Sequence, residues 1–190
     1  MDIRHFFFKY RSYTPVPLII LVLIIAKTTW ISYLAGLIII LAGEAMRFWG
    51  VAYAGSATRT TGRAGADKLI TDGPFAHVRN PLYVGNFLLS FGVVIMCWAW
   101  MPWMIGAFLI LFYLQYSLII VHEEEFLQKH FDDQYKKYIS SVPRWLPKLT
   151  VYKNRNRIVP KYDKAIQSER RTFQSIIVVC LLVLIRWLIL

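Results

Sequence analysis

Residues 73–85 read GPFAHVRNPLYVG, a short polar break at the mouth of an apolar run. Its two X-Pro steps, Gly73-Pro74 and Asn80-Pro81, forbid a continuous helix, because proline lacks an N–H and pushes the preceding residue out of the helical region. Backbone donors and carbonyls are therefore left over. At membrane depth such groups survive only when buried in protein or turned to a water-filled cavity, so this break is a candidate site. The same residues also read as a helix start, with Asn80 as N-cap and Pro81 as the first helical residue. The two readings are compatible.

The surroundings decide the class of protein. Of 190 residues, 57% are hydrophobic and only 17% charged, the balance of a chain that lives in lipid. A net charge of +11 raises nucleic acid as a partner, but the basic residues sit beside apolar runs, which favours anionic lipid headgroups and no nucleic acid. Cys97 and Cys180 lie within apolar runs, where a thiol acts as a small hydrophobe. They predict neither a disulfide framework nor a metal site. Arg4, Lys9 and Arg11 precede an apolar run from Val16 to Ala26, as in a signal peptide, yet KTTW follows in place of small cleavage-site residues. A retained helix is the expectation.

Working outward, five apolar segments match a hydrocarbon core that needs about 20 helical residues per crossing. They lie near Pro15–Trp30, Ile31–Tyr53, Pro81–Trp98, Met101–Val121 and Phe173–Leu190. The fold expected is all-α, a polytopic transmembrane bundle of about five helices carrying a cytoplasmic cofactor-binding loop and an amphipathic helix. Its parts are an N-terminal hairpin (1–53), a core (54–148), and a basic linker with a last helix (149–190). Basic residues cluster before the first segment, between the second and third, and after the fourth, so the positive-inside rule puts the N-terminus and both polar loops in the cytoplasm. The stretch 54–78 is too long and too rich in Gly and Thr for a passive connector. From Val121 to Lys148, apolar residues at helical spacing end at VPRWLP, which predicts an amphipathic helix closed by prolines. From Arg144 to Arg171 nine basic residues face two acids, the composition of a headgroup-binding surface.

Residues able to carry chemistry are few. Glu123, Glu124 and Glu125 end the fourth apolar segment and point about 100° apart around a helix, so one or two at most can face a shared cavity. Salt bridges to the neighbouring basic loop are the plainer role for them. Glu44 and Arg47, three residues apart on the second segment, can form an ion pair that fixes helix packing, and they also raise the alternative of a small transporter. The four histidines show no metal-ligand spacing. No nucleophile elbow, P-loop or dinucleotide glycine pattern is present.

Taken together, GPFAHVRNPLYVG, one helical hairpin, the acidic pair before Phe126-Leu127, the F-x-x-x-Y-x-x-Y spacing from Phe131 to Tyr138 and VPRWLP resemble the membrane methyltransferases related to isoprenylcysteine carboxyl methyltransferase and bacterial phospholipid N-methyltransferases. The resemblance covers about Gly43 to Pro147. It implies a methyltransferase using S-adenosyl-L-methionine, releasing S-adenosyl-L-homocysteine, and acting on a lipid or lipidated acceptor within the membrane. Carried onto this chain, it implies that Asp67, Lys68, Leu69 and Ile70 give backbone contacts to the cofactor, with Thr60 near them. Phe75 lies against it, Asn80, Pro81, Leu82 and Tyr83 line it, and Glu123 accepts its amino group. Arg79, with Glu123 and Glu124, is the expected catalytic set, Arg79 orienting an acceptor anion. Two positions depart from the prenylcysteine enzyme. Asn80 stands where it has histidine, and Ile119, one helical turn before Glu123, stands where it has an arginine. A non-catalytic cofactor-binding relative is the remaining alternative.

Overall fold

The computed structural model describes residues 3–11, 13–55 and 68–189, and all regular structure among them is helical. In order come α1 (Ile3–Tyr10), α2 (Val16–Ile24), α3 (Trp30–Ala54), a 3₁₀ turn (Gly73–Ala76), α4 (Pro81–Cys97), α5 (Trp103–Ile139) and α6 (Tyr162–Ile189). Three of these, α3, α5 and α6, are long and apolar enough to cross a membrane. With 17 residues, α4 reaches about 25 Å at 1.5 Å per residue.

Several expectations change here. The first apolar segment is helical over just nine residues and has no regular structure from 26 to 29, so it supplies no full helical crossing. Thr29 and Ser32 explain the fresh start. The Ser32 N–H donates to Thr29 Oγ1 at 3.1 Å and the Thr29 N–H to Ser32 Oγ at 2.8 Å, a reciprocal capping box that opens α3. The anticipated amphipathic helix is not a separate element. It continues the fourth segment as one 37-residue helix, kinked at Asp132, where φ is 33°. It stops at Ile139, ahead of Pro143 and Pro147. Half of the presumed basic linker is likewise helix, since α6 begins at Tyr162 and runs for 28 residues.

The tightest packing joins α3 to α4. Gly36 and Gly43 face Gly92 and Gly85, each pair of glycines seven residues apart on its own helix. A seven-residue step keeps one stripe turned to the partner, and bare glycine lets the backbones touch. A Cβ on Gly43 would lie 2.7 Å from the Leu89 nitrogen and 2.9 Å from the Gly85 oxygen. Beside this seam Arg47 gathers three elements. It pairs with Glu44 on its own helix at 3.8 Å and with Glu169 of α6 at 2.8 Å, and donates to Asn86 Oδ1 of α4. Glu169 is fully buried and Glu44 nearly so. The Glu44–Arg47 pair thus fixes packing, the plainer of its two sequence readings.

The bundle has two unlike ends. At one, Trp30, Trp98, Trp100 and Trp103 are exposed, and the Trp30 and Trp187 rings meet edge to face at 4.8 Å, an arrangement suited to a membrane–water interface. There the Lys27 N–H donates to the Cys97 carbonyl at 2.8 Å and Arg186 Nη2 to the Ile24 carbonyl at 2.7 Å. The opposite end holds the polar break, the three glutamates and the first residues of α6.

Candidate active site

The polar break is held in shape by chain that comes much later. The Arg79 N–H donates to the Pro143 carbonyl at 2.9 Å, the Lys148 N–H to the His77 carbonyl at 3.1 Å, and the Tyr152 N–H to the Ala76 carbonyl at 3.0 Å. Tyr138 Oη donates to the Phe75 carbonyl at 2.7 Å. Further along, the Thr71 N–H donates to Asn156 Oδ1 and the Asn156 N–H to Thr71 Oγ1, both at 3.0 Å, while the Ile158 N–H donates to Asp72 Oδ2 at 2.9 Å. Leu69, Ala76, Tyr135, Tyr138, Val142 and Tyr152 bury one another beneath this seam. Backbone groups of the break are thus paired by Tyr138 of α5 and by residues 140–158, a strap around it. That segment does more than meet headgroups.

Asn80 occupies the N-cap position of α4 and Pro81 its first turn, but the Asn80 side chain makes no capping bond. Its Nδ2 donates instead to the Arg144 carbonyl at 3.2 Å, into the strap. The Tyr83 and Val84 N–H groups both take the Asn80 carbonyl at 3.1 Å, and Pro81 has none, so the first turn's uncommitted N–H among the described residues is that of Leu82.

Each of the three adjacent carboxylates is met by arginine from elsewhere in the chain. Arg11 Nη1 lies 3.5 Å from Glu123 Oε1, Arg79 Nη1 lies 3.1 Å from Glu124 Oε1, and Arg4 Nη1 lies 2.7 Å from Glu125 Oε1. Arg144 adds a two-pronged hold on Glu124, Nε to Oε1 at 3.2 Å and Nη2 to Oε2 at 2.5 Å. This hydrogen bonding raises the Arg144 guanidinium above its usual range. Glu123 also accepts a 2.6 Å hydrogen bond from Tyr83 Oη on the same oxygen, Oε1.

A cavity of about 740 Å³ opens at this end, within the size range of small-molecule sites. Its wall includes Lys68, Leu69, Ile70 and Phe75 from the break, Arg79 through Tyr83 from the mouth of α4, and Glu123 from α5. Every described residue expected at a cofactor is therefore on one surface. Glu124 is not part of that wall; it stands behind Arg79. Thr60 and Asp67 lie outside the described residues. His77 turns away, its Nδ1 2.9 Å from the Lys148 carbonyl.

Other wall residues escaped sequence reasoning. Phe8 and Arg11 come from α1 and the turn after it, and Glu169, Thr172 and Ser175 come from α6. The signal for α1 was three consecutive phenylalanines, Phe6 to Phe8, in a short run edged by Arg4 and Lys9. Nothing in the sequence marks Asn156.

A family model for phospholipid methyltransferase matches residues 31–134. Curated relatives include a protein-S-isoprenylcysteine O-methyltransferase from Schizosaccharomyces pombe, 33% identical over 79 residues, 42% of this chain and 33% of the relative. One from Xenopus laevis is 31% identical over 125 residues, 64% of this chain and 42% of the relative. A probable protein-S-isoprenylcysteine O-methyltransferase from Oryza sativa subsp. indica is 30% identical over 124 residues, 64% of either chain. The chain thus spans between a third and just under two thirds of the length of these relatives. No solved structure matches it. The family match runs from α3 through the polar break and α4 into α5, the elements that carry the tight glycine seam and most of the cavity wall. Covering more than half of the sequence, it shows that this chain belongs to the phospholipid methyltransferase family.

Proposed function

We propose that the protein is an S-adenosyl-L-methionine-dependent methyltransferase of the membrane, acting on a lipid-like acceptor reached from the bilayer. The observation that carries this reading is the convergence of Leu69, Phe75, Leu82, Tyr83 and Glu123 on one cavity. The residues fit the cofactor's parts. Glu123 has Oε1 engaged by Tyr83 and Arg11, and its carboxylate lines the cavity, where it suits an ammonium. The uncommitted Leu82 N–H, at a helix start, suits a carboxylate. Phe75 and Leu69 offer apolar faces to a nucleoside. When bound, S-adenosyl-L-methionine supplies a methyl carbon that bonds to an acceptor lone pair as the carbon–sulfur electron pair returns to sulfur, leaving S-adenosyl-L-homocysteine.

In such an in-line displacement the protein's work is alignment and exclusion of water. Tyr83 fixes the Glu123 carboxylate, and the strap fixes the backbone on the other side. Arg79 faces the cavity while Glu124, itself gripped by Arg144, holds it from behind, so Glu124 is a positioning residue and Arg79 is able to meet an acceptor anion. We place the site on the cytoplasmic face with the N-terminus inside. Arg4, Lys9, Arg11, Lys68 and the basic strap gather at the site end, whereas Lys27 and Arg186 serve the tryptophan end. The isoprenylcysteine named for the relatives is one acceptor class within this proposal.

Calorimetric titration of purified, folded protein with S-adenosyl-L-homocysteine tests the reading. Saturable one-to-one binding supports it; no heat of binding in folded protein overturns it. Incubating membranes with a labelled methyl donor then identifies the acceptor by the extractable lipid that takes the label.

A further inference from the structure

The turn 144–147 of the strap lies at lipid depth. Trp145 rests against Tyr113 of α5, with 6.4 Å between ring centroids. Tyr113 belongs to an exposed stripe of that helix, together with Leu109, Ile110 and Leu114. It stands ten residues from Trp103 of the tryptophan end, about 15 Å at 1.5 Å per residue, and so well inside a hydrocarbon core of roughly 30 Å. From there the chain turns outward. Leu146 is 80% and Leu149 98% exposed, so neither side chain supports the fold. The backbone bonds on either side of this turn both hold the polar break. The Pro143 carbonyl before it accepts from the Arg79 N–H, and the Lys148 N–H after it donates to the His77 carbonyl. Charge is one-sided here. Residues 140–158 contain no acid and five basic residues, Arg144, Lys148, Lys153, Arg155 and Arg157. Glu124 takes Arg144, Asp72 pairs with Arg155, and the Lys148 ammonium turns to the Ser141 carbonyl. Lys153 and Arg157 are exposed.

We infer that a bilayer leaflet carrying anionic lipid is the partner of this turn: Leu146 and Leu149 enter its acyl chains, Lys153 and Arg157 meet its headgroups, and the leaflet thereby holds the break in shape. This contact needs no methyltransferase chemistry. A single exposed leucine is ordinary, but these two stand on either side of Lys148, next to a tryptophan seated on the apolar flank of α5. Each gains by leaving water for hydrocarbon, and each nearby cation gains by meeting negative lipid. Opening of the strap would draw all of them back into water, so the leaflet resists it. The two bonds that bracket the turn pass that resistance to Arg79 and His77. The cavity wall at Arg79 is then held in part by the membrane.

The test is hydrogen exchange of the full chain, one copy per nanodisc, in discs of phosphatidylcholine with and without phosphatidylglycerol. The Lys148 and Tyr152 amides, which donate to the break, are expected to exchange roughly tenfold faster in the double variant Leu146→Ser with Leu149→Ser than in the wild type. The α3–α4 seam is expected to keep its protection. Since both leucines are almost without protein contact, lost packing within the chain does not account for such a change. In the wild type, phosphatidylglycerol is expected to slow the same two amides by about fivefold or more, and Lys153→Gln with Arg157→Gln to shrink that slowing. Equal exchange in wild type and serine variant overturns the proposal and leaves the turn to a protein partner. Uniform quickening that includes the seam overturns it too. So does a wild type indifferent to phosphatidylglycerol, a comparison that needs no variant to fold. A slowing of undiminished size in the glutamine variant, as a lowered surface pH alone would give, overturns the headgroup contact.

Discussion

The Tyr83 hydroxyl donates to Glu123 Oε1 at 2.6 Å and so fastens the first turn of α4 to the carboxylate of α5 on which cofactor binding would turn. Glu123→Ala is expected to weaken S-adenosyl-L-homocysteine binding by about 1.5–3 kcal/mol, the range for hydrogen bonds to charged groups. Tyr83→Phe leaves the carboxylate but frees its orientation, so its loss is smaller. Titration calorimetry of both variants checks the order; equal affinity in wild type and Glu123→Ala means another carboxylate does the work.

Glu124 joins Arg79 of the break to Arg144 of the strap. Glu124→Gln keeps the shape and removes the charge, leaving two partly buried guanidinium groups facing each other. Hydrogen exchange should quicken at the Arg79, Lys148 and Tyr152 amides, which bridge break and strap. The α3–α4 seam should keep its protection. Uniform quickening throughout would mean that Glu124 supports the whole bundle and not this corner.

The glycine seam predicts a contrast between two Gly→Ala changes. At Gly43 the new methyl meets backbone at 2.7 Å, and such overpacking costs about 1–3 kcal/mol. At Gly106 a Cβ meets nothing within 4 Å, so Gly106→Ala is neutral. Thermal unfolding in detergent reads the difference, and similar midpoints for the two variants would discount the seam.

Glu169→Gln strips the charge from the deepest partner of Arg47. Removing one member of a buried pair costs up to about 3–5 kcal/mol when the other is left uncompensated; here Arg47 keeps Glu44 at 3.8 Å and Asn86, so the loss falls below that range. The double change Glu169→Leu with Arg47→Met should recover much of that stability. Denaturation of Glu169→Leu, Arg47→Met and the double variant forms the cycle, and a double variant as weak as the sum of those two singles would rule out direct coupling.

The sequence disclosed the break, the helix after it and the carboxylate opposite, because proline and a glutamate triplet at the end of an apolar run leave few physical options. Asn80 misled in one respect. Residue type and position both indicate a cap, yet the nearby Arg144 carbonyl won its side chain, a tertiary contact that local rules cannot anticipate. Gly36, Gly43, Gly85 and Gly92 were legible as paired seven-residue steps, but each lies in so apolar a setting that hydropathy alone hid the register. The merging of the fourth segment with its polar extension was hidden for another reason. Helices cross the membrane boundary freely, and a change of composition marks that boundary without ending the helix. The parts least visible were Arg11 and Glu169, since what makes them site residues is the folding of both flanks onto the core.

The arginines on the glutamate triplet also set a timetable for biosynthesis. Arg4, Arg11 and Arg79 have left the ribosome before the glutamates are made, whereas Arg144 follows some twenty residues later, the separation of 20 positions between it and Glu124. Until Arg144 has emerged, Arg79 is the one member of that arginine pair available to Glu124, and the His77 carbonyl lacks the Lys148 N–H. Completion of the cavity waits longer still, for Glu169, Thr172 and Ser175 of α6, so a half-made protein lacks part of the wall.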